Sequence, residues 1–201
     1  MTNLANEVLG QLDSSQIEAI ASQLGVDPAQ AEGAIQQAMP LLLGGLARNA
    51  ATPDGAGALH TALGDHAGGD IGSLLGGMLG GGGPQGGLGN GMAILGHIFG
   101  ARQDQASQGL GQASGLGSAN AGQLLAILAP VVMSVLGNMS QRQGMSASGL
   151  GGVLGQEHQR MAQSGAGGLL GAVFDQDGDG QVGLGDLLKM GEGLFGGRRP
   201  V

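Results

Sequence analysis

Acidic side chains recur at alternate positions near the carboxyl end of the chain, where residues 175 to 186 read D-Q-D-G-D-G-Q-V-G-L-G-D. Oxygen atoms from residues spaced in this way can converge on one centre. The predicted ligands are four carboxylates and one backbone carbonyl, from Asp175, Asp177, Asp179, Asp186 and Gln181. Hard divalent cations prefer such oxygens, and four carboxylates this close repel one another without a cation. The spacing therefore predicts a divalent-cation site.

The segment resembles the twelve-residue loop of EF-hand proteins, with Gly180 where the chain turns sharply and Val182 where an apolar residue anchors the loop. Ca²⁺ is the predicted ion, with Mg²⁺ in its place in a low-calcium compartment. Asp186 stands where EF-hands carry Glu, as in the dockerin version of the loop. Its shorter side chain predicts weak binding, on the order of 10⁻⁵ to 10⁻³ M. The competing interpretation is an acidic surface turn.

Helical punctuation predicts the elements that precede this loop. Ser15 with Glu18 fits a capping box, and Gly25 fits the end of that helix. Asp27-Pro28 fits the start of the next helix, and Pro40 is expected to open a further apolar stretch. Because β-branched residues never alternate with polar ones, the predicted fold class is all-α, compact, multihelical and glycine-rich.

The chain also repeats itself, which predicts an internal duplication into helical halves at residues 1–100 and 101–201, the second ending in the ion loop. The matches at an offset of 90 are Gly25 with Gly115, Ala31 with Ala121, Pro40 with Pro130 and Leu46 with Leu136. The matches at an offset of 95 or 96 are Leu74-Leu75-Gly76 with Leu169-Leu170-Gly171 and Phe99 with Phe195. Small residues at helical spacing, such as Gly72 and Gly76, predict close helix–helix approach.

Composition narrows the classes of function. The chain has 46 Gly, no Cys and a formal charge of −8, with seven Lys plus Arg among 201 residues. So few cations cannot neutralise many phosphates, so nucleic acid is not an expected partner. The amino terminus lacks a secretory signal, which predicts a cytoplasmic protein and leaves non-classical export open. The apolar run from Leu124 to Gly137 is shorter than the ~20 residues that span a bilayer, so a membrane association is disfavoured but stays open.

No constellation of residues indicates catalysis. Serines lie in no nucleophile motif, and no phosphate-binding loop is present. His60 and His66, with Asp65, form the strongest alternative metal site, but Gly64 lies between the two histidines and structural roles are expected for them. The prediction is that the protein is not an enzyme.

Two stretches resemble the YidB-like bacterial proteins of unknown function. They are L-G-V-D-P-A-Q-A-E-G-A-I-Q-Q-A-M-P-L-L-L-G-G-L-A-R-N-A from Leu24 to Ala51, continued by P-D-G-A-G-A-L-H-T-A-L from Pro53, and G-M-A-I-L-G-H-I-F-G from Gly91 to Gly100. The resemblance implies a compact helical fold and supplies no catalytic residues. Two functions stay open. The first is a calcium-binding interaction or structural module, which would bind an unknown protein partner or a second copy of itself. The second is a glycine-zipper protein that self-assembles or associates with membranes.

Overall fold

The computed structural model describes residues 4–68, 71–79 and 87–163, and within these ranges the protein is entirely helical. The all-α prediction is therefore confirmed. A 3-10 turn, Gly100–Arg102, lies at the boundary predicted between the two halves. The α-helices are α1 Leu4–Gly10, α2 Ser14–Leu24, α3 Pro28–Asn49, α4 Pro53–His66, α5 Ile71–Leu79, α6 Gly87–Phe99, α7 Gln103–Ser114, α8 Ser118–Arg142 and α9 Ala147–Gln163.

The start of α2 differs from the prediction by two residues. Asp13 is the N-cap, and its carboxylate accepts a hydrogen bond from the Gln16 backbone N–H at 2.8 Å. The Gln16 side chain in turn accepts from the Asp13 N–H at 3.0 Å. The capping box at Ser15 and Glu18 was wrong, because Asp with Gln three residues later offers the same reciprocal bonds one half-turn earlier. Ser15 lies inside the helix.

The predicted helix boundaries around residues 25 to 28 are confirmed. Gly25 follows α2 in the left-handed conformation with φ 67°, which glycine adopts without steric cost. Asp27 is the N-cap of α3 and Pro28 is its first residue. The Asp27 side chain makes no capping hydrogen bond. Gly115 ends α7 in the same way as Gly25, with φ 72°.

The apolar stretch that was predicted to begin at Pro40 is buried, and it does not form a separate helix. Pro40 lies inside the continuous helix α3, just as Pro130 lies inside α8. A proline has no N–H to donate, so each one leaves the carbonyl four residues earlier without its helical partner. Those carbonyls belong to Gln36 and Ala126. Both prolines are buried, and the packing around them holds each helix together across the missing hydrogen bond.

Contacts join the two predicted halves. The helices α2, α3 and α4 occur in the same order as α7, α8 and α9. Asn120 on α8 donates to the carbonyl of Leu24, the last residue of α2, at 3.1 Å. Gln30 on α3, ninety residues earlier, places its amide nitrogen 3.7 Å from where a Cβ on Gly115, after α7, would lie. The start of α8 therefore lies beside the end of α2, and the start of α3 lies beside the end of α7.

The core is centred on α8. Every residue from Leu124 to Gly137, the predicted apolar run, is buried, and α8 contacts α3, α4, α6 and α7. Among the described residues α8 is the one helix long and apolar enough to cross a bilayer, and 78% of its apolar window is buried inside the protein. Its hydropathy is that of a core helix.

Close helix approach occurs at Gly91, whereas the prediction of it for Gly76 was wrong. On α6, a Cβ at Gly91 would collide with the carbonyl oxygen of Ala126, the same carbonyl that Pro130 leaves without a partner. Gly91 thus permits a Cα–H···O contact with that oxygen. The counterpart on α3 is Gln36, whose side chain is exposed. The two halves therefore differ here, since α6 covers α8 where α3 stays open. Gly76 on α5 has nothing within 4 Å of its Cβ position.

Candidate functional site

The predicted ion ligands Asp175, Asp177, Asp179, Gln181 and Asp186 lie outside the described residues. The structure does describe the helices on either side of the segment that the predicted repeat aligns with the loop. There α5 ends at Leu79 and α6 begins at Gly87, and these two helices contact each other.

No group of three or more His, Asp or Glu side chains forms a metal site among the described residues. His60 on α4 is half-buried, and its Nε2 lies 2.9 Å from the Met145 carbonyl in the turn between α8 and α9. The structural role expected for this histidine is confirmed. Asp65 is exposed, and the side chain of His66 lies outside what the structure describes.

A cavity of about 530 Å³ lies between α3, α4, α6 and α8. Most of its wall is apolar, from Leu46, Leu59, Ile94, Ile98 and Met133, with alanines between them. Its polar residues are Asn49, Asp65, Asn90 and His97. The volume falls in the range of natural small-molecule pockets, about 300–1,000 Å³, and a mostly apolar wall with a few polar groups is their usual composition.

Contacts between α3 and α6 fix these two helices to one another at one side of the cavity. The amide nitrogen of Asn49 donates to the carbonyl of His97 at 2.9 Å and to that of Ile98 at 3.3 Å. These carbonyls belong to the last turn of α6, where helical partners are missing. One turn earlier on α3, a Cβ at Gly45 would lie 2.5 Å from Cγ2 of Ile98. The end of α6 is thus fixed against α3 through the Asn49 side-chain amide and the close approach of the Ile98 side chain to Gly45.

One acidic side chain, from Asp65, lines the cavity. The lining runs from the first turn of α6, at Asn90, to its last turn, and it includes the last turn of α3 and Gly55 in the first turn of α4, so positive and negative helix ends both lie beside it. Asp65 lies in the last turn of α4, where the helix dipole disfavours an anion. No arginine is among the residues that line the cavity. The site therefore favours a positively charged group beside an apolar one.

A second polar feature lies on α9, where Glu157 is buried with 3% of its surface exposed. One carboxylate oxygen accepts from Arg160 at 3.4 Å, and Arg160 itself is half-exposed. The other oxygen, Oε1, has no hydrogen-bond partner in the described structure. Buried carboxylates are rarely left this way, because desolvation without a partner is costly.

Basic groups lie near the next residue of α9, His158. Burial lowers the pKa of His158, and the nearby charge of Arg48 lowers it further. Burial, followed by the charge of Arg102, likewise lowers the pKa of Arg48. Arg48 on α3 therefore lies within electrostatic range of both His158 and Arg102.

Neither the cavity nor the buried Glu157 was predicted from the sequence. The cavity residues Asn49, Asp65 and His97 come from three helices and carry no local motif. Glu157 could have been found from the repeat, because Thr52 and Ser146 each accept from a glycine N–H three residues on. Aligning these caps places Glu157 opposite Leu63, which is buried in α4. An acid in place of a core leucine is the signal.

The fold defines a compact helical protein with more than one ligand-sized cavity, since a second of about 480 Å³ lies between α6, α7 and α8, and the described residues hold no group of three or more metal-ligating side chains. The chain matches the family model described as bacterial protein of unknown function (DUF937) over residues 6–139, and it belongs to that family. The match runs from α1 almost to the end of α8 and excludes both α9 and the ion loop. The narrower resemblance to YidB-like proteins stays a prediction. No curated protein and no solved structure matches the chain.

Proposed function

We propose that this protein is a non-enzymatic calcium-binding protein in which the helical body is an interaction or structural module. One Ca²⁺ is held by the four carboxylates and one carbonyl predicted above, at Asp175, Asp177, Asp179, Asp186 and Gln181. The observation that carries the proposal is the alternation of three aspartates before Gly180, closed by a fourth acid at the loop's last position.

The described first half supports this proposal through the repeat. At the sequence offset of 95, Leu79, the last residue of α5, aligns with Phe174. At the offset of 96, Gly87, the first residue of α6, aligns with Gly183. An EF-hand needs a helix that ends just before its loop and a second helix that starts within the last residues of the loop. The counterparts of α5 and α6 fall at these two places.

Loop chemistry sets the expected affinity. Asp186 is one methylene shorter than the Glu that closes an EF-hand, so bidentate coordination is harder to reach and the Kd is expected on the order of 10⁻⁵ to 10⁻³ M. A site of that strength is filled by Ca²⁺ where calcium is abundant and holds Mg²⁺ or stays empty at resting cytoplasmic levels.

Calorimetric titration of the full chain with Ca²⁺ and with Mg²⁺ tests the proposal. The variant Asp179→Asn removes a ligand charge, whereas Asp104→Asn removes a charge from the exposed start of α7. We expect a single saturable Ca²⁺ event that the first variant weakens and the second leaves intact. The proposal is overturned if the unaltered chain shows no heat in millimolar Ca²⁺, or if both variants behave alike.

A second candidate, self-assembly through a glycine face, draws on α5. Gly76 and Gly77 are exposed there, with nothing within 4 Å of their Cβ positions, whereas Gly91 and Gly137 face backbone atoms of neighbouring helices. Light scattering and vesicle flotation separate the candidates. A monomer that does not bind vesicles favours the calcium module. An oligomer or a vesicle-bound chain favours self-assembly if Gly76→Leu abolishes that association.

A further inference from the structure

We infer that the cavity between α3, α4, α6 and α8 binds a small amphipathic cation, an ammonium group attached to an aliphatic body. This site is separate from the proposed calcium loop and does not depend on it. The residues that define it are Asn49, Asp65, Ile94, Ile98 and Met133.

The helices around the cavity are fixed to one another at one side of it. There Asn49 bonds the last carbonyls of α6 and Gly45 meets the Ile98 side chain. On α4, a Cβ at Gly55 would collide with the carbonyl oxygen of Asn49, so α4 is also fixed, here by backbone contact. These contacts hold α3, α4 and α6 in place around the cavity, and preformed apolar space is what ligand sites provide.

Apolar and polar residues line different parts of the cavity. Leu46, Leu59 and Met133 are buried and form the inner wall, while Asp65, Asn90 and His97 are exposed at the mouth. A ligand that fits has an apolar body that reaches inward and a polar group that stays at the edge. A wholly polar solute would have to give up its hydrogen bonds to water in order to contact the apolar inner wall, which costs free energy.

The charge at the mouth favours a cation. The carboxylate of Asp65 lies there, and the chain as a whole carries −8. An ammonium group at the mouth gains from both, and it donates hydrogen bonds to the Asp65 carboxylate or the Asn90 side-chain carbonyl. A carboxylate on the same aliphatic body would be repelled.

Titration calorimetry with n-octylammonium, n-octanol and octanoate tests this inference on the full chain. We expect octylammonium to bind more tightly than octanol, and octanoate to bind most weakly. Asp65→Asn should weaken octylammonium about two- to fivefold, as for an exposed ion pair, and leave octanol unchanged. Asp54→Asn is the matched control, an exposed acid in the first turn of α4 that does not line the cavity.

Occupancy of the cavity is tested by a blocking variant and by methyl NMR. Ala93→Phe places a ring in the cavity from an exposed position of α6, so the fold should tolerate it and binding of both octylammonium and octanol should be lost. The methyl signals of Ile94, Ile98 and Met133 should shift on titration, while that of Ile20, on α2, should not. Binding that survives Ala93→Phe, or an affinity for octanoate equal to that for octylammonium, overturns the inference.

Discussion

Replacing Gly91 by alanine should destabilise the protein, although alanine is ordinarily the better helix former. In α6 the added Cβ would collide with the carbonyl oxygen of Ala126 and lie 2.8 Å from its carbonyl carbon. Both atoms belong to the backbone of the buried helix α8, so no side-chain rotamer can relieve the overlap. Either α6 moves away from α8 or the helix distorts locally.

The magnitude follows from two opposing effects. Replacing glycine by alanine within a helix raises the free energy of unfolding by up to about 1 kcal/mol. Forcing an extra carbon into a closely packed contact costs about 1–3 kcal/mol, and more where the backbone must shift. Because the overlap here is with backbone, we expect the cost to dominate, with the free energy of unfolding lowered by about 1–3 kcal/mol.

Gly96 provides the matched control on the same helix. It is exposed, and nothing lies within 4 Å of its Cβ position. Gly96→Ala should therefore raise the free energy of unfolding by up to about 1 kcal/mol. The two variants have the same composition and differ only in which face of α6 carries the methyl group.

Urea unfolding followed by far-UV circular dichroism measures the difference. With a slope of about 1–3 kcal/mol per molar urea, the midpoints of the two variants should differ on the order of 1 M, with Gly91→Ala the lower. Equal midpoints, or a more stable Gly91→Ala, would refute the close contact between Gly91 and the Ala126 carbonyl.

Three further outcomes are expected. Because the pKa of His158 is lowered from 6.5 by burial and by Arg48, the unfolded chain binds the proton more readily and the free energy of unfolding should decline as pH falls below about 6.5. His158→Gln should flatten this decline in urea titrations, and an unchanged slope contradicts the assignment. Glu157→Leu, which copies Leu63, removes the unpartnered Oε1 at the cost of one bond to the half-exposed Arg160, so the free energy of unfolding should stay unchanged or rise by up to about 1–3 kcal/mol; a clear loss in thermal unfolding would show that Oε1 also has a partner. Asp186→Glu should tighten Ca²⁺ binding about tenfold in calorimetry, and unchanged affinity argues against the bidentate explanation.

Local signals predicted the helix boundaries well where they depend on a single residue. Gly25 ends α2 because only glycine adopts φ 67° without strain, and Pro28 begins α3 because its missing N–H is not needed there. The capping box failed because two overlapping candidates satisfied the same rule, and only the packing of α2 selects Asp13.

Tertiary packing decided what local signals could not. Pro40 and Pro130 interrupt hydrogen bonding, yet each lies in a buried stretch whose apolar contacts outweigh the missing bond. The cavity was not predictable for a related reason: its residues come from four helices, and no sequence rule states how far apart those helices lie. The ion loop could be proposed from the sequence without knowledge of tertiary packing, since all its predicted ligands lie within twelve consecutive residues.

The contact between Gly91 and the Ala126 carbonyl also fixes the register of α6 along α8. A slide by one residue would bring Asn90 or Met92 over the oxygen, and neither side chain leaves room for it. Ile94 and Ile98 follow Gly91 by roughly one and two helical turns, so their positions in the cavity wall depend on this contact. Gly91 lies outside the lining, and a substitution there would displace two residues of the wall without changing any side chain that faces the cavity.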